Sequence, residues 1–268
     1  MARNKNQTAP GDGKDDPLAE LATLLVELNL TTLAKQLADV LSRAEAARWG
    51  YSEFLQNALE LEQTARLSRK IQRRVRWSRL GPRVDLESFD FSVRPKLSPQ
   101  VVKELVTCRF VAERRNVILV GRPSTGKTTV ARVIGHAACE RRYSVFYTGM
   151  EEMLQALHAA KADGTYRKAF RRVAECELLI LEDAGFSSLD KAQTNELFRL
   201  VCARYQRRST IIVTNLPFRQ RGEFLPSPAQ AVAVADRLVD NATILRFSGK
   251  PFRRPRDISG APLDGEDE

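Results

Sequence analysis

The run Asn116-Val117-Ile118-Leu119-Val120 leads directly into Gly121-Arg122-Pro123-Ser124-Thr125-Gly126-Lys127-Thr128, and the residues after Thr128 read as a helix. A short apolar strand that passes through a glycine-flanked loop into a helix is a severe constraint. Its loop must curl backbone N–H groups and the positive end of the helix dipole around something negative. The G-x-x-x-x-G-K-T spacing, in that strand and helix context, is that of a phosphate cradle. Gly126 lets the backbone approach closely, Lys127 reaches the β and γ phosphates as a point charge, and the Thr128 hydroxyl is placed to hold a magnesium ion bridging them. Pro123 removes one donor from the loop. Gly121, Arg122, Pro123, Ser124, Thr125, Gly126, Lys127, Thr128 and Thr129 are therefore the candidate contacts to ATP. The competing reading is a glycine turn with a solvent lysine, which the flanking strand and helix disfavour.

A magnesium triphosphate site needs carboxylates, and Leu178-Leu179-Ile180-Leu181-Glu182-Asp183 offers a pair at the end of a buried strand expected to neighbour the first. In the functional reading one acid serves magnesium and the other activates the attacking water; otherwise the pair is the solvated end of a core strand. The next apolar run, Thr210 to Thr214, delivers Asn215 to the same carboxyl edge, where ligands gather in open α/β sheets. Asn215 either orients a water near the γ phosphate or is a loop residue before Leu216-Pro217.

Strand-like runs at Val117 to Val120, Ser144 to Thr148, Leu178 to Glu182, Thr210 to Thr214 and Thr243 to Phe247 alternate with helical stretches, which implies a parallel α/β sheet. Upstream the pattern is helical. Asp16 and Pro17 open a first helix with Leu18, Leu21, Leu25 and Leu28 on one face. A second stretch carries Leu33, Leu37 and Leu41, and a third opens at Ser52 and carries Phe54, Ala58, Leu61 and Ala65. Gly81-Pro82 ends it. The expected organisation is a polar, disordered tail over 1–16, a small all-helical domain over 17–80 with a basic end, and a linker over 81–99. A nucleotide-binding domain over 100–253 and an acidic disordered tail over 254–268 complete it.

The 268 residues carry 43 Lys and Arg against 33 Asp and Glu, a formal net charge of +10 that favours an anionic partner. Two basic clusters are candidate DNA contacts: Arg66, Arg69, Lys70, Arg73, Arg74 and Arg76, and further on Lys161, Arg167, Lys168, Arg171 and Arg172. Trp77 lies inside the basic run that continues from the first to Arg79 and Arg83; a lone tryptophan is more often packed than stacked on a base. With no sequence-reading motif present, contact with DNA is expected to be sequence-independent. The four cysteines lack a paired C-x-x-C spacing and read as reduced thiols rather than zinc ligands. No segment resembles a signal peptide, and no apolar run approaches the roughly 20 residues that span a bilayer, so a cytoplasmic protein without membrane contact is expected.

Taken together, several segments resemble the IstB-like ATPases that assist transposases of bacterial insertion sequences, relatives of the DnaC helicase loader within the AAA+ superfamily. The resemblance covers about residues 18 to 253. It is carried by the leucine-rich opening helix, Glu87-Ser88-Phe89-Asp90-Phe91, Gly121 to Thr128, Leu178 to Gly185, Thr214-Asn215-Leu216-Pro217-Phe218 and Ala235-Asp236-Arg237-Leu238-Val239. It implies a five-stranded parallel sheet in the AAA+ order and an ATP site completed by a neighbouring subunit of a homo-oligomer on DNA. Position by position, it implies Glu182 as the magnesium acid, Asp183 as the catalytic acid, Asn215 as the γ-phosphate sensor and Arg237 as an arginine finger. Read from its neighbours alone, Arg237 is a surface cation paired with Asp236 or Asp240. Relatives usually carry Asp where this chain has Glu182, one methylene longer, which bears on hydrolysis more than on ATP binding. The function implied is a DNA-dependent ATPase that serves a transposase. The alternatives are a loader of a replicative helicase and a scaffold that holds ATP without cleaving it.

Overall fold

The computed structural model describes residues 16–94, 96–184, 189–215 and 228–249, with backbone only at Ser88 and residues 228–231. The chain divides into two compact units, residues 1–70 and 71–268.

In the first unit, α1 (Pro17–Glu27) starts where Asp16 caps it, the carboxylate accepting the Leu18 N–H at 3.1 Å. The second amphipathic stretch is two helices rather than one, α2 (Thr31–Lys35) and α3 (Leu37–Ala47). They are separated at Gln36, whose φ of −110° breaks the helical run. Leu33, Val40 and Ala58 form a small core, the last of these from α4 (Tyr51–Ser78). Glu62 is buried under it and accepts the first N–H groups of α2, from Thr32 at 2.7 Å and Leu33 at 3.0 Å, together with Arg66 and Arg69. Burial by itself pushes this carboxyl up, but those four donors outweigh it and hold Glu62 below the ordinary range.

The division falls within α4, earlier than the expected end of the helical domain near residue 80. The physical reason is that Ser78 and Leu80 are completely buried, and Leu80, Phe89 and Leu97 join the main core of the second unit.

That unit is built on five parallel strands: β1 (Asn116–Gly121), β2 (Val145–Gly149), β3 (Leu178–Glu182), β4 (Ser209–Thr214) and β5 (Ala242–Phe247). Their spatial order is β2-β3-β4-β1-β5. Strand β4 therefore lies between β1 and β3, which are not direct neighbours as expected from the sequence. The strands are apolar on both faces because both faces are covered. Val117, Leu119, Leu178, Ile180, Ile211 and Val213 pack toward α5 (Pro99–Val106) and α7 (Lys127–Glu140). Ile118, Leu179, Leu181 and Ile212 pack the other way, toward α8 (Met150–Ala162), α9 (Tyr166–Glu175), α10 (Lys191–Arg204) and α11 (Pro228–Val239). A one-turn helix, α6 (Arg109–Ala112), precedes β1. No described helix is long and apolar enough to cross a membrane.

Candidate nucleotide site

The loop between β1 and α7 begins where two strands touch. A methyl group on Gly121 would stand 2.2 Å from the Phe247 carbonyl oxygen on β5, so no side chain fits. At the other end Gly126 caps α7 with φ +93°, a left-handed conformation that side chains rarely tolerate. Between them Thr125 is buried and its hydroxyl closes the loop on the Arg122 carbonyl at 2.8 Å.

Lys127 is only 6% exposed, and its ammonium donates to the carbonyls of Gly121 at 2.8 Å and Arg122 at 2.7 Å. Burial pushes its pKa down, while the nearby charges of Asp183 and Glu182 push it back up. A cation kept in this position by two carbonyls is poised to exchange them for a stronger anionic partner.

The acids reach the same place from β3. Thr128, in the first turn of α7, donates its hydroxyl to the Glu182 carboxylate across the width of β4. Burial pushes the Glu182 pKa up, the Thr128 hydrogen bond opposes that, and the Asp183 charge adds to the rise. Asp183 itself is exposed and sits at φ +51°, a turn that the chain fixes by bonding the Ala184 N–H to the Val213 carbonyl at 3.0 Å. The Thr214 hydroxyl completes the clasp by donating to the Ala184 carbonyl. Asn215 follows β4 at this edge and is half-buried. A hydroxyl and a charge-penalised carboxylate facing each other beside a buried ammonium are a donor set that suits a magnesium–triphosphate complex: hard oxygen ligands for the ion, N–H groups and a cation for the phosphates.

Sequence reasoning missed Arg94. Its side chain is completely buried, and its Nε donates to the Thr125 carbonyl at 3.0 Å, so the segment before α5 anchors the top of the loop. Nothing in the aperiodic stretch around Arg94 signals this role; only the fold brings the two together.

Arg237 stands at the other end of the sheet. Asn116, which opens β1, donates its side-chain amide to the Leu238 carbonyl at 3.2 Å and its Oδ1 accepts from Thr210 of β4. With β1 running six residues from Asn116 to Gly121, that places the Arg237 backbone on the order of 16 Å along the strand from the loop. The guanidinium donates to the Ala233 carbonyl at 2.8 Å and lies over Phe198 and Tyr205. Asp240 is engaged instead by the Tyr205 hydroxyl at 2.6 Å.

The basic clusters separate. Arg66 and Arg69 hold Glu62, while Lys70, Arg73 and Arg76 are exposed on α4 and Arg74 is half-buried. Lys161 pairs with buried Glu196, Arg171 with Glu175, and Arg167 and Lys168 are exposed. Arg172 packs its guanidinium 4.4 Å from the Phe146 ring centre and donates to the Trp77 carbonyl at 3.2 Å. Trp77 is 66% exposed, against the packed state expected for a lone tryptophan.

A parallel sheet in this order, with a glycine loop between an inner strand and a helix and acids at the same edge, defines a P-loop nucleotide-binding protein of the AAA+ type. Comparison with known proteins narrows the class: residues 23–259 match the family described as IstB-like ATP binding protein, and the chain belongs to that family. It is 33% identical over 237 residues to the insertion-sequence ATP-binding protein y4iQ/y4nD/y4sD of Sinorhizobium fredii, covering 88% of this chain and 80% of that one. A protein named for ATP binding in insertion sequence IS21 of Pseudomonas aeruginosa is 31% identical over 87% of this chain and 88% of its own. Among solved structures, AMPPCP-bound DnaA from Aquifex aeolicus superposes with a TM-score of 0.53 at 22% identity, over 63% of this chain and 51% of that one. DnaI superposes with a TM-score of 0.54 at 17% identity, over 62% and 92%. These two likenesses concern the fold.

Proposed function

We propose that this protein is a magnesium-dependent ATPase that assembles as a homo-oligomer on DNA and assists a transposase in target capture or strand transfer. The observation that carries the reading is a division of labour across the sheet. Lys127, Thr128, Glu182, Asp183 and Asn215 gather at the carboxyl edge, whereas Arg237 lies at the amino edge. A finger that acts on the γ phosphate from there must come from a second copy.

The loop N–H groups and Lys127 bind the β and γ phosphates. Thr128 and Glu182 would hold magnesium, which would supply charge neutralisation for the phosphoryl group. Asp183 accepts the proton of the attacking water and Asn215 orients that water. Membership of a family whose relatives are named for insertion sequences supports a transposase as the protein partner. The amino-terminal helices offer it a surface, since α1 leaves Leu18, Leu21 and Leu24 exposed, as is Leu28 just after it.

The test is ATP turnover measured against protein concentration with and without duplex DNA. Turnover per subunit should rise with both. Indifference to both rejects the assembly reading, and absence of turnover under every condition leaves a scaffold that holds ATP.

A further inference from the structure

At the amino edge of the sheet, away from the nucleotide loop, five arginines line an open groove of about 970 Å³. Arg114 precedes β1, Arg167 and Arg171 lie on α9, and Arg207 and Arg208 precede β4. Adjacent sequence does not explain this grouping, because three separate segments supply it. Against these five charges the described residues of the groove supply one carboxylate, Glu175, which pairs with Arg171 at 2.8 Å in an exposed and weak bridge. Arg208 is oriented by the carbonyls of Glu175 and Arg207, both at 3.2 Å. Arg114, Arg167 and Arg207 are exposed. Like charges gathered in this way repel one another in the free protein, and an anion laid along them offsets that cost.

We infer that this groove seats the phosphate backbone of duplex DNA. The inference rests on the reading of DNA as a partner and assigns it a place. Separate guanidinium forks along a groove suit successive phosphates better than one compact anion. The aromatic wall supports backbone contact over base contact: Tyr166 and Phe170 stack on each other at 5.6 Å, and Arg199 lies over both rings. With those faces in use, the groove reads charge and not sequence. It also re-sorts the second basic cluster. Arg167 and Arg171 belong to the groove, whereas Lys161 serves Glu196 and Arg172 serves Phe146 and Trp77.

The experiment is fluorescence anisotropy of a labelled mixed-sequence duplex, titrated with the full chain over a range of salt. The double variant Arg114→Ala/Arg207→Ala is expected to lose on the order of tenfold in affinity per arginine near 0.1 M salt. The slope of log K against log salt should become shallower by about 0.9 per lost contact. Arg114→Lys/Arg207→Lys should recover most of the affinity, and Arg167→Ala gives an independent arm on α9. Binding of a fluorescent ATP analogue should be unchanged in all of them, which shows that the variants fold. Wild-type affinity and slope in both alanine variants overturn the groove while leaving DNA binding intact, and that result also fits a groove for an acidic protein segment. Failure of the wild-type chain to bind the duplex overturns the groove and the DNA reading together.

Discussion

Arg94 donates its Nε to the Thr125 carbonyl at 3.0 Å, so a residue outside the glycine motif holds the top of the loop in place. Arg94→Ala removes that strut and is expected to weaken ATP binding by about tenfold, roughly the value of one charge-assisted hydrogen bond. Calorimetric titration with a non-hydrolysable analogue measures it. Lys103→Ala, at an exposed position of α5, is the control and should leave the affinity unchanged.

The Thr128–Glu182 contact leads to an expectation about pH. The pKa of Glu182 in the folded protein is raised, so the folded state holds this proton more tightly than the unfolded chain does. Its contribution to stability is therefore present below the ordinary glutamate pKa and is lost as pH rises through the raised value. In the absence of nucleotide and magnesium, Glu182→Gln should melt higher than wild type at neutral pH, and the gap should close on acidification. A melting difference that is independent of pH would count against a charge-penalised Glu182. In the presence of ATP, the same variant should lose magnesium-dependent stabilisation.

The separation of Lys127 from Arg237 makes their variants distinguishable. Lys127→Ala should abolish nucleotide binding, whereas Arg237→Ala should leave binding largely intact and slow hydrolysis by about 10³-fold or more. Neither variant should turn over alone. Mixed together they should recover activity, because an intact loop from one copy then meets an intact arginine from another. Failure to recover in the mixture would place the arginine outside the site.

Gly121→Ala puts a methyl group against the Phe247 carbonyl, and because the obstacle is backbone it cannot swing aside. Forcing β1 and β5 apart is expected to destabilise the chain by about 1–3 kcal/mol, read as a lowered melting temperature, and to weaken ATP binding as well.

Much of the fold is legible in the sequence, and the reason is locality. The glycine loop, the strand before it and the helix after it are contiguous, and the five strands announce themselves because apolar runs bounded by turns suit a sheet covered on both faces. The expected strand limits fall within a residue or two of those observed. Strand order is a different kind of fact. Nothing local in Leu178 to Glu182 says that β4 intervenes between it and β1, and only the family resemblance carries the order. The break at Gln36 is invisible because Leu33, Leu37 and Leu41 keep helical spacing across it. Arg94 and the convergence of Arg114 with Arg207 are hidden for the same reason: each depends on segments far apart in the chain meeting in space. The exposure of Trp77 escapes for another reason, since composition says where tryptophans usually go and not where this one does.

The contact between Gly121 and Phe247 has a mechanical reading. With no side chain to cushion it, displacement at one strand end is delivered directly to the other, and the last described strand is in effect a lever resting on the lip of the nucleotide pocket. Any shift of the loop at Gly121 therefore bears directly on backbone at the Phe247 end of that strand.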